Sequence, residues 1–352
     1  MTQGCRLFVI VLIASFFPFQ PFAQAADVVI AVRDDARPFV WKDAYTNDYR
    51  GFFWDICSLA VQKAGYFPVA RPIDAAQRKN YLDTGVGDYD LLCDPTTITV
   101  NRLKTFVEQG PDLTFSPIVF VANGTYVGPS PTSPEGMGSG KIREVLQETQ
   151  GSCDALLKAA ESASGKKDQK DEKSSDERWI RFLPKPIEKV EADKKEDFQI
   201  WGYLEGSTIA AILNKSEVLK TLNDNNAFLI CPNAFPSHAN AAEAFCAGNL
   251  ARYYGDGEII KAAILAFNEK TGGSCGFVSA RLATYEPYAF VLSSRKVREF
   301  PQRFTFALYS MFADQTVERL FAAHFPEEKS EFLTTLYRIN RIPKGVPTAP
   351  PQ

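Results

Sequence analysis

Residues 93–102 read CDPTTITVNR and directly follow a short apolar segment. The Asp-Pro step favours a turn, so Thr97 and the threonine two positions later would lie around the start of a helix. Hydroxyls and free backbone N–H groups at a helix start favour an anion, and the Arg102 guanidinium can hold a carboxylate through two parallel hydrogen bonds. The segment therefore predicts a carboxylate site, beside which the Pro95 carbonyl could accept from an ammonium. The alternative is an ordinary threonine cap ahead of a surface arginine.

Two later stretches offer a matching half of such a site. In LEGSTIAAIL (204–213), Ser207 and Thr208 follow a strand and begin a helix, which again predicts an anion-binding helix start. In AGNLARYYGDGEII (247–260), Asp256 follows a strand-like run and could hold an ammonium. The alternative for Asp256 is a turn aspartate between two glycines.

A third stretch, DDARPFVW (34–41), comes directly after the first predicted strand. Phe39 and Trp41 could form an apolar wall for a ligand there. They are equally plausible as core residues, and the sequence leaves both interpretations open.

The chain alternates strand and helix signals, which predicts an α/β fold with a largely parallel sheet. The expected elements are a strand at 27–32, a helix within 50–66, a helix and a strand within 71–93, a strand at 115–123, a strand and a helix within 198–213, a strand at 227–232, a helix and a strand within 238–260, a strand at 288–294 and a helix over 300–325.

The middle of the chain, from 128 to 197, has a different composition, rich in Pro, Gly, Ser and charged residues. Its stretch Lys166–Arg178 holds ten charged residues of both signs in thirteen. Such a segment buries too little apolar surface to offset its ordering entropy. A solvated helix or a disordered loop is therefore expected.

The first 25 residues have the features of a signal peptide. One positive charge precedes an apolar run from Leu7 to Phe17, and Ala23-Gln24-Ala25 suits a signal-peptidase site. We therefore expect export to the periplasm. A net charge of −3 and only two histidines argue against nucleic acid as a partner and against a metal or other cofactor.

The exported chain would keep six cysteines in an oxidising compartment. Six cysteines allow 15 full pairings, and the sequence does not choose among them. Cys231 with Cys246 is the favoured pair because only fourteen residues separate them.

Taken together, these stretches resemble family 3 of the periplasmic solute-binding proteins, the polar amino-acid type, which shares its fold with the ligand-binding core of ionotropic glutamate receptors. PTTITVNR resembles the receptor pattern Pro-Leu-Thr-Ile-Thr-x-x-Arg at every spacing. The other matching stretches are DLLCDPTT, VIAVRDDARPFVW, GFFWDICSLAVQKAGY, TFSPIVF, GSTIAAIL and GNLARYYGD.

The resemblance implies two α/β lobes joined by two crossing hinge strands, the type II periplasmic binding protein fold. The first lobe would contain 26–121 and 286–352, the latter ending in a Pro-rich tail. The second lobe would contain 122–285, including the charged insertion 128–197. The ligand would lie in the cleft between the lobes, which would close around it.

The resemblance also implies roles for the candidate residues. Arg102, Thr97, Ser207 and Thr208 would hold the carboxylate of a small ligand, most plausibly an amino acid. Its ammonium would contact the Pro95 carbonyl and the Asp256 carboxylate, and its apolar part would pack on Phe39 or Trp41. The protein would bind rather than catalyse, with the membrane permease of an ABC importer as its partner.

Several departures from the family pattern leave two alternatives open. They are the Asp94-Pro95 step, the bulky Trp54, six extra residues at 108–113 and the long insertion. One alternative is a dehydratase-like enzyme on the same fold, for which Asp256 or Glu205 could serve as acid or base. The other is an accessory protein of a periplasmic redox enzyme that binds a protein rather than a small molecule.

Overall fold

The computed structural model describes residues 26–130, 198–224, 228–280 and 284–341. The predicted signal peptide, most of the predicted insertion and the Pro-rich tail lie outside the described residues.

The described strands, in chain order, are β1 (Asp27–Val32), β2 (Asp35–Ala36), β3 (Val40–Lys42), β4 (Tyr49–Arg50), β5 (Phe67–Pro72), β6 (Leu91–Cys93), β7 (Leu113–Phe115), β8 (Phe120–Pro129), β9 (Phe198–Leu204), β10 (Leu229–Phe235), β11 (Arg252–Asp256), β12 (Phe277–Ser279), β13 (Thr284–Tyr288) and β14 (Val291–Ser293). The described helices are α1 (Phe52–Lys63), α2 (Ala75–Thr84), α3 (Val100–Glu108), α4 (Thr208–Leu213), α5 (Ser216–Asp224), α6 (His238–Cys246), α7 (Gly257–Thr271), α8 (Phe300–Ala313), α9 (Thr316–His324) and α10 (Glu331–Asn340).

Two sheets form the centres of two lobes. The first-lobe sheet has the order β5-β1-β6-β14-β7, in which β1 runs parallel to β5 and β6, and β14 runs antiparallel to its two neighbours. The second-lobe sheet has the order β10-β9-β11-β8-β12, with β13 also paired to β8. A small sheet, β2-β3-β4, follows the first strand.

The chain passes between the two sheets along two connecting strands. It leaves the first sheet after β7 and enters the second through β8; it returns through β13 into β14. β8 and β13 pair antiparallel, from Phe120 with Tyr288 to Gly124 with Thr284. This arrangement gives the two α/β lobes and the two hinge strands that the sequence predicts.

The sequence explains why these elements form. β1 is a continuous apolar run, as expected for a strand that helices cover on both faces. α2 begins with a capping box in which Asp74 and Gln77 bond each other's backbone N–H groups. The same helix ends at Gly85, which adopts the left-handed conformation that glycine permits.

Three expected elements differ from the structure. The strand expected at 115–123 is divided into β7 and β8, since Pro117 has no N–H for a ladder and the Ser116 hydroxyl bonds the Pro117 carbonyl. The expected strand at 288–294 is likewise two strands, β13 and β14, and the expected helix at 300–325 breaks at Gln315, whose φ is 62°. Gly128 and Pro129, the first residues of the expected insertion, belong to β8.

The prediction that Cys231 pairs with Cys246 is wrong. Cys246 bonds Cys275, and Cys57 bonds Cys93. Cys231 is also disulfide-bonded, but not to Cys246. The short separation along the chain was misleading because Cys246 ends α6 and lies close to the segment after α7, with 5.4 Å between the Cα atoms of Cys246 and Cys275.

Among residues 26–130, 198–224, 228–280 and 284–341, the structure contains no helix that is long and apolar enough to cross a membrane.

Candidate functional site

A cavity of about 60 Å³ lies between the two lobes. That is room for several waters or one small solute. The cavity is lined by Arg33, Ala36, Arg78, Asp94, Pro95, Thr97 and Arg102 of the first lobe, by Gly124, Thr125, Leu204, Ser207, Thr208, Ile209, His238, Tyr254, Gly255, Asp256 and Ile259 of the second, and by Glu286 and Tyr288 of β13.

The threonines of CDPTTITVNR have different partners. Thr99 caps α3, where its hydroxyl accepts a hydrogen bond from the backbone N–H of Arg102 at 3.2 Å. The hydroxyl of Thr96 accepts from Arg78 at 3.3 Å. The hydroxyl of Thr97 instead donates to Oε2 of Glu286 at 2.7 Å. The capping interpretation therefore describes Thr99, while Thr97 faces the cavity.

The Glu286 side chain reaches into the cavity from the connecting strand β13. Besides its bond with Thr97, it accepts from the Thr208 hydroxyl, which lies 3.1 Å from Oε1 and 3.0 Å from Oε2. One hydroxyl comes from each lobe. The position that the sequence predicts for a ligand carboxylate is thus occupied by a carboxylate of the chain itself.

Arg102 lies beside this carboxylate and also spans the lobes. Its Nη1 donates to the Thr97 carbonyl at 2.7 Å, and its Nη2 donates to the Gly206 carbonyl at 3.3 Å. Burial lowers the pKa of Arg102 to about 10, with a further contribution from the charge of Arg78. The guanidinium therefore stays cationic at neutral pH.

Arg78 and Asp94 form a buried ion pair at the base of the cavity, and each is almost fully enclosed. Arg78 also donates to the Pro95 carbonyl at 3.1 Å and to the Gly206 carbonyl of the second lobe at 3.3 Å. The Pro95 acceptor predicted for a ligand ammonium is thus already bonded to a cation. Asp94 Oδ1 is buried without a hydrogen-bond partner among the described residues, and Arg33 Nε lies 3.9 Å from it.

A second polar chain links the lobes through His238. Arg33 pairs with Asp35, and Asp35 Oδ2 accepts from the backbone N–H of His238 at 2.6 Å. The His238 Nδ1 lies 2.6 Å from the Tyr253 hydroxyl. Burial and the nearby charge of Arg33 lower the pKa of His238 to about 3. The imidazole is therefore neutral at physiological pH.

Asp256 lines the cavity, and it is also the N-cap of α7. Its Oδ1 accepts from the backbone N–H groups of Glu258 at 2.8 Å and Ile259 at 3.1 Å, while Oδ2 accepts from the Tyr288 hydroxyl at 2.8 Å. Burial raises the pKa of Asp256 to about 7. Much of the accepting capacity predicted for an ammonium is thus used within the chain.

The other two polar candidates have different positions. Ser207 caps α4, its hydroxyl accepting from the backbone N–H of Ala210 at 3.2 Å. Glu205, which was considered as an acid or base, is not part of the cavity lining.

The apolar wall predicted from Phe39 and Trp41 does not line the cavity. Phe39 is fully buried in the aromatic core of the first lobe, 4.8 Å between ring centroids from Phe120. Trp41 is partly exposed on β3, where the Arg37 guanidinium lies over its ring. Of the two interpretations left open by the sequence, Phe39 therefore follows the second and is a core residue.

Sequence reasoning missed Glu286, Arg78, Arg33 and His238. Glu286, Arg78 and His238 meet their partners through contacts between distant parts of the chain, so no local motif marks them. Arg33 pairs with Asp35, only two positions away, but nothing in that spacing indicates a cavity residue. One signal was present: Glu286 lies next to a proline in TYEPYAF, at the second predicted crossing between lobes.

Two α/β lobes, two connecting strands and a polar cavity between the lobes define the two-lobed fold of periplasmic binding proteins. Solved structures share this fold. An ancestral arginine-binding protein bound to glutamine matches with a TM-score of 0.53 and 17% identity, covering 86% of this chain and 100% of its own.

Two further structures are similar. A periplasmic His/Glu/Gln/Arg/opine family-binding protein from Silicibacter pomeroyi in complex with lysine has a TM-score of 0.52 and 13% identity over 86% of this chain and 99% of its own. An ancestral amino acid-binding protein, a precursor of cyclohexadienyl dehydratase, has a TM-score of 0.51 and 17% identity over 85% of this chain and 95% of its own. Comparisons with protein-family models and with curated proteins find no match.

Proposed function

We propose that this protein is a periplasmic solute-binding protein of the family 3 type, which takes up a small carboxylate-bearing solute between its lobes. One observation carries the proposal. The Glu286 carboxylate accepts from the hydroxyls of Thr97 and Thr208, one from each lobe, with the Arg102 guanidinium beside it. The cleft therefore contains a carboxylate position built from both lobes.

In the bound state, the solute carboxylate would replace that of Glu286 between Thr97 and Thr208. Arg102 has five N–H donors, and its bonds to two backbone carbonyls leave donors that can turn towards an anion. The start of α4, capped by Ser207, lies on the same side. An amino acid is the solute class suggested by the ligands of the similar structures. Its ammonium would contact the Asp256 carboxylate, because Arg78 already holds the Pro95 carbonyl that the sequence offered.

The delivery partner in this proposal is the inner-membrane permease of an ABC importer. Support comes from the likeness in fold to amino-acid-binding proteins and from the signal-peptide features of the first 25 residues. Binding rather than catalysis is proposed because Asp256, the cavity residue with a pKa near 7, is bonded to two backbone N–H groups and a tyrosine hydroxyl.

A second candidate function is supported by a specific observation. The chain fills both polar positions of the cleft with its own groups, Arg78 on the Pro95 carbonyl and Glu286 between the threonines. A cleft whose polar positions are filled by the chain itself has less need of a solute. This favours an accessory protein of a periplasmic redox enzyme that recognises a protein instead.

A thermal-shift screen of the exported chain against amino acids and small organic acids distinguishes these functions. A solute at one hundred times its dissociation constant stabilises the fold by about 2.7 kcal/mol. A positive acid would then be titrated by calorimetry into wild type, Arg102→Lys and Arg102→Ala. Lys keeps the charge but loses the two-pronged geometry, and Ala should weaken binding by roughly 2–5 kcal/mol.

Arg303→Ala is the matched control, since Arg303 is an exposed arginine on α8 paired only with Glu299 among the described residues. It should bind as wild type does. If no acid stabilises the protein, the result favours the accessory-protein function over solute binding. If Arg102→Ala binds the acid as well as wild type, the carboxylate position has been assigned to the wrong residues.

A further inference from the structure

We propose that Glu286 is an internal ligand of the cleft, whose carboxylate bridges the two lobes and holds them closed without a solute. The inference rests on the carboxylate position proposed above and names what occupies it. A solute acid would then enter by competing with Glu286.

The position of Glu286 suits this role because it lies where the chain connects the two lobes. It lies on β13, the strand by which the chain returns from the second sheet to the first. Its two hydroxyl partners, Thr97 and Thr208, lie on opposite sides of the cleft. Tyr288, two residues further along the same strand, bonds Asp256 on the second lobe.

The interaction is of a kind that a solute can replace. Glu286 is partly exposed, and among the described residues its carboxylate makes no ion pair within 4.0 Å. Two hydroxyls and the charge of Arg102 hold it in place. An incoming carboxylate can accept the same hydrogen bonds.

Arg78 shows the opposite behaviour at the neighbouring position. It is 4% exposed, and Asp94, its partner, is 1% exposed. Moving the Arg78 side chain out of the cleft would break its buried ion pair with Asp94, which is strongly unfavourable. The cleft thus has a fixed internal cation and an exchangeable internal anion.

Closure without solute is supported by three more contacts between the lobes. Arg78 and Arg102 both donate to the Gly206 carbonyl, and the His238 N–H donates to Asp35. Gly206 has φ +69°, and a Cβ added there would lie 2.9 Å from the Cβ of Lys79. The second lobe therefore approaches the first at a position where only glycine avoids both strain and a clash.

Chemical rescue tests the proposal without knowledge of the natural solute. Glu286→Ala leaves a carboxylate-sized space, and the probe is acetate, with sodium chloride at equal ionic strength as the control for screening. We expect Glu286→Ala to melt at a lower temperature than wild type and to have a larger radius of gyration by X-ray scattering. Acetate should reverse both changes saturably, while wild type should respond weakly.

Two variants serve as controls. Glu286→Gln fills the same volume, so acetate should not rescue it. Glu327→Ala removes an exposed carboxylate that pairs with Lys261, so acetate should have no effect on it. The proposal is overturned if Glu286→Ala matches wild type in melting temperature and size, or if acetate affects Glu327→Ala as much as Glu286→Ala.

If Glu286→Ala does not fold, the partners provide the test. Thr97→Val and Thr208→Val each remove one hydroxyl with little change in shape. Their double variant should enlarge the radius of gyration, and an unchanged radius overturns the proposal. The outcomes also separate this inference from the proposed function: acetate rescue of Glu286→Ala together with no acid bound by wild type keeps the internal ligand and removes the solute-binding function.

Discussion

The carboxyl group of Asp256 is 7% exposed at the start of α7, and burial raises its pKa to about 7. An unfolded aspartate ionises near pH 4. Between these two values the folded protein holds a proton that the unfolded chain has lost, so the free energy of unfolding falls as pH rises through this window. His238 acts in the opposite sense, since its lowered pKa means that stability is lost as pH falls below about 6.5.

We predict that Asp256→Asn removes the first of these dependences and leaves the second. The difference in unfolding free energy between wild type and variant should therefore change between about pH 4 and pH 7, by about 1.4 kcal/mol for each pH unit. Urea unfolding at several pH values measures it. Parallel profiles for the two proteins would contradict a raised pKa at Asp256.

The polar residues of the cleft differ in how visible they were from the sequence. Pro95, Thr97, Arg102, Ser207, Thr208 and Asp256 all line the cavity, and each was marked by a turn, a helix start or a strand end close to it in the chain. Glu286 and Arg78 were not visible, because their contacts join residues 189 and 16 positions apart. Local sequence patterns predict the position of a residue in a turn, helix or strand. The partner of its side chain depends on how the two lobes pack together.

The ends of strands were also difficult to predict from the sequence, because they depend on contacts between distant segments. The apolar run 115–123 looks continuous, but Ser116 N–H bonds Phe290 O and Val119 N–H bonds Tyr288 O, so the segment connects two sheets rather than extending one. β1 and α2 were predictable because their burial pattern and caps are local. β13 was not, since only Tyr288 at its end is buried and no alternating buried face runs along the strand.

The Cys57–Cys93 disulfide ties α1 to β6 across 36 residues. We predict that Cys57→Ala with Cys93→Ala lowers the free energy of unfolding by about 3–4 kcal/mol, the chain-entropy cost of a loop of that length. Guanidinium unfolding with linear extrapolation measures it. Wild type under reducing conditions should be destabilised further than the double variant, because reduction also breaks the Cys246–Cys275 disulfide.

Cys246→Ala with Cys275→Ala is the matched control, with a separation of 29 residues in the other lobe. The expected loss of unfolding free energy is similar, because the two loops have similar lengths. Any difference in ligand binding between the two double variants then reflects the position of the disulfide. Only the first pair should also weaken the Arg102-dependent acid binding, because Cys93 directly precedes Asp94, the partner of Arg78. Equal effects of both pairs on binding would contradict a link between β6 and the cleft.

The two lobes and their connections account for the described residues, and the charged stretch within 131–197 lies outside them. We predict from its composition that deleting Gly165–Arg178 leaves the yield of soluble protein and the melting temperature nearly unchanged, since such segments contribute little to a core. Circular-dichroism melting of the deletion variant tests this. Loss of soluble protein would show that the stretch is part of the folded unit.

Because Glu286 is tethered to the strand that joins the lobes, its carboxylate is present at the cleft at an effective concentration of roughly millimolar or more. A dilute acid that offers only a carboxylate cannot match that concentration. A solute that enters must gain additional contacts elsewhere in the cavity, for example a donor to the unpaired Oδ1 of Asp94. The tethered Glu286 therefore prevents binding through a carboxylate alone. Selectivity among acids then depends on the contacts made by the rest of each solute.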